Sequence, residues 1–458
     1  MSLATAVVLS AVLPILSVSG GGHQLSLTPL TIVHYGVILW ATIRLSILVA
    51  RGEPRLLTFV FWLFTYLWFG LAPFAQLTLG LAPLPASFNV AIETTASAIV
   101  VIGLAAFEVG QVASRAFTSS LIGRGGERRD FGWGAVGILF LMTLVLLPVL
   151  INVFGGLSVF LLSRQAVGEA AAQLQPGSDG ESIQAIYSAL LSIPPLLGAA
   201  ACFHLLRTAS QRPPRLVVGA LLFVFLVADA IVNNPISQSR AWFAVVVFML
   251  IGSTTWAFSR SGFPLFAVTV IVSVVVIFPF AGYFRYTGPS ALGGLDTVVN
   301  QYSISGDYDA YEQIAAGVDY VNVYGFDYGA HLLGPPLFWV PRSIWPDKPM
   351  DTGVVLATYE GYSYTNLSAP LGIETYISGG YLLVFGCFVV LGFLWRRLDD
   401  SFALSTPMGG GVVRLIVPAI AMYQTTVLRG SLLTATGRLV LLVTIPLLMT
   451  FVPRRRDR

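Results

Sequence analysis

The chain has 458 residues, of which 56% are hydrophobic and only 10% charged, with a formal net charge of +3. That balance, with a mean hydropathy of +0.80, excludes an ordinary soluble domain, where about a quarter of residues are charged. So small a net charge gives no reason to expect a nucleic-acid partner.

Long apolar runs recur along the whole length, each near the roughly 20 residues that cross a bilayer. Read in chain order, they fall at about 2–18, 29–50, 56–79, 89–112, 134–153, 186–206, 216–232, 239–258, 263–283, 376–395, 411–428 and 436–452. The fold class expected is an all-α polytopic transmembrane bundle of about twelve spans. Residues 1–283 carry about nine of them, 284–375 form a large loop, and 376–458 carry the rest with a basic tail. The first run has small residues after it, as a cleaved leader would. It has no basic residue before it, so a retained helix is expected. Cys202 and Cys387 lie inside apolar runs and read as small buried hydrophobes. The chain has no CxxC, HExxH or Walker-type glycine loop.

Loop arginines set the expected orientation. With the tail "PRRRDR" placed in the cytoplasm, seventeen cationic residues fall on that side and seven on the other, with Arg44 inside a span. The loop 284–375 then faces the outside of a bacterial cytoplasmic membrane.

That loop holds most of the chemistry. Within "GDYDAYEQIAAGVDYV" (306–321), Tyr308, Tyr311, Ala315 and Val318 share one helix face, and Asp309, Glu312, Gln313 and Ala316 another. Asp307-Tyr308-Asp309 is a DxD, a pattern that holds a metal in many glycosyltransferases. Asp309 and Glu312 also have capping-box spacing, and the capping reading is preferred, with no metal expected. Further on, "WVPRSIWPDKP" (339–349) contains Lys348, the one lysine of the chain. Three prolines make this segment rigid.

Arginines are scarce on the expected outer side. Arg240 opens a span, Arg285 closes the next, and Arg342 sits in the proline-rich turn. Each alone reads as a side chain reaching for lipid headgroups. Together they suggest a shared anion, because a guanidinium grips phosphate through a planar fork, with Lys348 as an added point charge. Trp345 and Tyr308 belong to an aromatic-rich loop that suits sugar rings, although a single Tyr more often anchors the interface. His331 is in the right loop to bind or deprotonate a substrate, and otherwise reads as a packing histidine. Asp229 lies inside a span, with Arg240 as the expected partner. Glu93 and Glu108 read as solvated ends of one span.

"PRSIWPDKP" (341–349) followed by "APLGIETYISGGYLLVFGCFVVLG" (369–392) resembles the O-antigen polymerase, or oligosaccharide repeat-unit polymerase, family. "QSRAWF" (238–243) and Arg285 match arginine positions common upstream in such proteins. The resemblance covers about residues 230–400. It implies a GT-C-type glycosyltransferase without cofactor. Polyprenyl-diphosphate-linked oligosaccharides would be its substrates, and membrane lipids and a chain-length regulator its partners. A hydroxyl of one lipid-linked repeat unit attacks the anomeric carbon of another, and polyprenyl diphosphate leaves.

For that reaction, Arg240, Arg285, Arg342 and Lys348 are the cations expected at the leaving diphosphate. The base is open among Asp307, Asp309, Asp319, Asp327, Asp347, Asp351, Glu360 and Glu374. Glu374 gains from the family match, and Asp309 from its expected place facing the loop interior. A ligase using a polyprenyl-phosphate donor fits the loop composition equally well. A transporter would show internal repeats and mid-membrane polar residues, and no repeat is visible.

Overall fold

In a computed structural model the described residues are 2–19, 25–116, 132–161, 180–208, 215–253, 256–279, 301–365, 367–404 and 412–450. Arg285 and the basic tail lie outside them. Among the described residues every regular element is helical.

Among the described residues, ten helices are long and apolar enough to cross a membrane. They are α1 (Ser2–Ser19), α2 (Pro29–Arg51), α3 (Leu56–Leu79), α4 (Val90–Ala116), α5 (Trp133–Val153), α6 (Gly180–Thr208), α7 (Arg215–Val232), α12 (Leu371–Leu404), α13 (Val412–Arg429) and α14 (Leu432–Met449). Two shorter apolar helices, α8 (Arg240–Gly252) and α9 (Phe263–Ile277), occupy the other two predicted runs. The protein is therefore a multi-pass, all-α membrane bundle. Between α9 and α12 lie the non-spanning helices α10 (Ala310–Tyr324) and α11 (Thr352–Tyr359), with single helical turns at Gly306–Tyr308 and Ala330–Leu333.

The bundle is built around α3 and α12. Every residue in the apolar window of α3 is buried. The most intimate contact joins α4 to α12, and glycines make it possible. A Cβ on Gly110 would sit 2.0 Å from the Val389 carbonyl oxygen, and one on Gly392 would sit 2.1 Å from that of Phe107. The α12 helix is broken at Gly379-Gly380, where Gly380 has φ 65°, a value glycine adopts at little cost. The break detaches a short stretch, 371–378, which holds Glu374 and points into the segment 301–370.

Segment 301–370 caps one end of the bundle. Helix α10 was expected to be amphipathic. Instead all of residues 310–318 are buried, on both faces. Tyr311 fixes it, meeting Ser97 Oγ at 3.0 Å and donating to the Glu93 carbonyl at 3.0 Å. Ser97 in turn meets His34 Nε2 at 3.1 Å. At the opposite end, the buried Asp399 carboxylate accepts from the backbone N–H groups of Leu57 and Thr58, both at 3.0 Å. It caps α3, whose first N–H groups have no partner within the helix.

Three smaller expectations are corrected. Asp229 does not pair with Arg240; it accepts from Asn233 Nδ2 at 2.6 Å. The Asn233 side chain also accepts from Trp242 Nε1 at 2.7 Å, which binds α7 to α8 without a charge. Glu108 is not solvated but forms an ion pair with Arg44 across α2 and α4. Cys202 is buried as expected, whereas Cys387 is only partly covered.

Candidate functional site at the capped end

Two arginine–aspartate pairs organise residues 307–309. Ser239 caps α8 by accepting from Trp242 N at 3.2 Å, which places Arg240 on the first helical turn. A cation there opposes the helix dipole, so the position needs a compensating anion. Asp307 supplies it, with Arg240 to carboxylate at 2.9 Å. The pair is about one-quarter exposed on both sides, 26% and 24%.

Arg429 sits at the last turn of α13, where a cation suits the dipole. It donates to Asp309 Oδ1 at 3.0 Å and to the Gly306 carbonyl at 2.9 Å. The Asp309 side chain is 3% exposed, and its second oxygen accepts from Ser368 N at 3.1 Å. Asp309 therefore does not cap α10 through its side chain, and the capping-box expectation is corrected. Both carboxylates of the DxD are engaged by arginines. Tyr308, between them, is 1% exposed and packs its ring against Tyr302 and Trp68. It supports the pairs from beneath, and no face of the ring is open to a sugar.

The proline-rich turn is held closed from within. Lys348 is 4% exposed, and its Nζ donates to the carbonyls of Phe338 at 2.7 Å and Val340 at 3.0 Å. Arg342 donates to the Lys348 carbonyl and, at 3.1 Å, to that of Pro349. Trp345 N donates to the Pro341 carbonyl at 3.0 Å, and its side chain is partly exposed at the turn surface. Glu374 is a structural junction. Thr352 Oγ1 donates to one carboxylate oxygen at 2.8 Å and Leu432 N to the other at 3.0 Å. This ties the starts of α11 and α14 to the broken end of α12.

His331 is the side chain best placed for proton chemistry. Its Nδ1 bonds Asp327 Oδ2, and the same oxygen accepts from the His331 backbone N–H at 2.9 Å. Asp327 Oδ1 accepts from Gly329 N at 3.0 Å. Burial works to raise the Asp327 carboxyl, but the side-chain and backbone bonds from His331 and the bond from Gly329 hold it below its ordinary value. An ionised Asp327 accepts, so Nδ1 carries the proton and in the neutral ring the lone pair falls on Nε2. That Nε2 is buried and meets no hydrogen-bond partner among the described residues.

The turn that builds this pair is strained. Tyr328, with φ 53°, is the one non-glycine residue with positive φ among those described. Such a conformation costs a large side chain about 1–2 kcal/mol, and strain of this kind gathers at functional sites.

These pieces adjoin. A Cβ on Gly334, just after the His331 turn, would lie 3.6 Å from Pro349 Cβ and 3.5 Å from Leu433 Cδ1. Pro349 carries the carbonyl bound by Arg342. Asp351 Oδ2 accepts from Thr434 Oγ1 at 3.0 Å, and Arg429 precedes that turn directly. The His331 turn thus packs against the segment that carries Arg342 and Lys348 and against the start of α14, which Glu374 also binds, whereas Arg240 is joined to this region through residues 307–309 and Arg429.

Arg429 is one of the seven cationic residues on the expected outer side. Its partner lies 120 residues away, and no local signal links them. Asp327 and His331 were readable as an i, i+4 pair. No family model matches the chain, and neither curated proteins nor solved structures provide a match.

Proposed function

We propose that the protein is a glycosyltransferase that joins polyprenyl-diphosphate-linked oligosaccharide repeat units at the outer face of a bacterial cytoplasmic membrane. The Asp327–His331 pair carries this reading. A histidine oriented through Nδ1, with a buried, unmade bond at Nε2, is suited to take a proton from an acceptor hydroxyl. The Arg342 turn adjoins it, and a guanidinium fork there stabilises charge gathering on the departing diphosphate. Arg240, partly exposed, exchanges its Asp307 contact for a phosphate oxygen.

In this scheme the acceptor O–H bond breaks as its oxygen bonds the donor's anomeric carbon. The proton passes to His331 Nε2. The glycosidic bond to polyprenyl diphosphate breaks, and the diphosphate leaves with the electron pair. Asp309, Glu374 and Lys348 hold the rim in shape, and Arg429 does so through Asp309. The arginine excess in the loops of the opposite side supports reading this rim as the outer one.

The test is complementation of a deletion strain. His331→Ala and Arg342→Ala proteins that reach the membrane at wild-type level are expected to leave single repeat units on lipid, with no polymer. Polymer of normal length from both variants would sink the reading.

A further inference from the structure

A second polar cluster lies apart from the His331–Arg342 region, between α10, the loop before α4 and the chain after α11. Glu312, on the first turn of α10, is 6% exposed. Its Oε2 accepts from Leu84 N at 3.1 Å. Its Oε1 is buried and has no hydrogen-bond partner among the described residues. Glu360, at the end of α11, likewise has a buried, unpartnered Oε1. The Tyr362 hydroxyl is likewise buried without a hydrogen-bond partner among the described residues, beside the Ala86 backbone and within the influence of both carboxylates. The Tyr362 and Tyr364 rings are stacked, 5.5 Å apart and 3° from parallel, and Tyr364 is 47% exposed.

The charge balance in this cluster is unusual. The groups acting on Glu312 are the Leu84 amide, Asp309 and Glu360. Asp309 already holds Arg429, and among the described residues no cation is one of the groups acting on Glu312. Burial, followed by these two carboxylates and opposed by the Leu84 bond, pushes the Glu312 carboxyl up to about 8. Two carboxylates sharing a site do not both ionise readily. At neutral pH the pair then presents one O–H donor and several acceptors. A buried acceptor left without a bond is costly, and a ligand that supplies the bond accounts for its retention. A sugar hydroxyl, which donates and accepts at once, matches this arrangement, and an exposed tyrosine ring at the mouth suits the apolar face of a pyranose.

We propose that Glu312, Glu360 and Tyr362, with Tyr364 at the rim, form a carbohydrate-binding subsite that grips hydroxyl groups of a sugar residue. This rests on the reading of the protein as one that handles glycans. The subsite holds a unit of the oligosaccharide away from the reacting carbon and so sets its register against His331.

The experiment uses the full-length protein in membranes of cells that make the polymer. Tyr364 is replaced by the photo-reactive residue p-benzoylphenylalanine, and captured species are tested for sugar by glycan staining and mass spectrometry. Expected is a glycan-bearing adduct that Glu360→Ala and Tyr362→Phe, each folded by size-exclusion profile, weaken roughly five- to tenfold through lost hydrogen bonds. Adducts carrying phospholipid or protein alone, or glycan capture indifferent to both variants, would overturn the subsite, leaving a cluster that holds structural water. The two readings fail separately. Capture without polymerisation by purified protein removes the polymerase and keeps the subsite. Polymerisation without capture does the reverse.

Discussion

The Arg429–Asp309 pair lends itself to the sharpest energetic prediction. Asp309 is 3% exposed and Arg429 31%, so removing the arginine strands a carboxylate whose remaining bond is the Ser368 amide at 3.1 Å. Stranding one partner of a buried pair costs about 3–5 kcal/mol. The partly exposed guanidinium admits screening, which brings the expected loss for Arg429→Gln to about 2–3 kcal/mol. Asp309→Asn alone strands a cation that water can reach, and should cost less. In the double variant both charges are gone, so the losses should not add, with a coupling of about 2 kcal/mol. The assay is equilibrium unfolding in mixed micelles titrated with SDS, run as a double-mutant cycle. Additivity within about 0.5 kcal/mol would refute the view that this pair anchors the cap to α13.

Lys348→Met should loosen the proline-rich turn by about 2 kcal/mol, through two lost bonds to carbonyls; limited proteolysis within 338–349 should then quicken, and an unchanged cleavage rate would count against the staple. Glu312 titrates at about 8 in the fold against an ordinary value of 4.5, so its neutral form is the better tolerated one. Stability should therefore fall as pH rises from about 4.5 through 8 and level off above. Glu312→Gln, facing the same Asp309, Glu360 and Tyr362, should flatten that slope in SDS unfolding, and an equally steep slope in the variant would remove the assignment. Asp327 has the opposite sign: its carboxyl lies below 3.8 in the fold. The stability it supplies should be present above that value and vanish as pH drops through the folded one, with Asp327→Asn indifferent throughout. Activity should survive chelator, because the Asp307 and Asp309 carboxylates are held by arginines; inhibition reversed by manganese would revive a metal role for the DxD.

The spanning helices were legible because lipid demands long uncharged runs and closed backbone hydrogen bonding. Helix α10 was misread as amphipathic because Asp309, Glu312 and Gln313 are polar, yet each is buried. Their burial depends on partners such as Arg429, Ser368 and Leu84, contacts that residue periodicity does not encode. Lys348 and Arg342 were recognised as unusual, but in sequence a cation facing a ligand and one stapling its own turn look alike. The carbonyls of Phe338 and Val340 identify the buried Lys348 as a staple, while the Arg342 guanidinium, on the Lys348 and Pro349 carbonyls, stays only part-buried. Glu374 was singled out from the family resemblance, and the structure gives it a joining role through Thr352 and Leu432. His331 was noted by position alone, whereas Asp327 four residues earlier and the strained Tyr328 between them give it chemical weight.

The most direct measurement is reconstitution of the purified protein in liposomes with polyprenyl-diphosphate-linked repeat units as sole substrate, with products resolved by length. The account predicts a ladder of rising chain length, released diphosphate lipid in step with each added unit, and no ladder from His331→Ala. One addition followed by arrest, or a full ladder from the His331 variant, would contradict it.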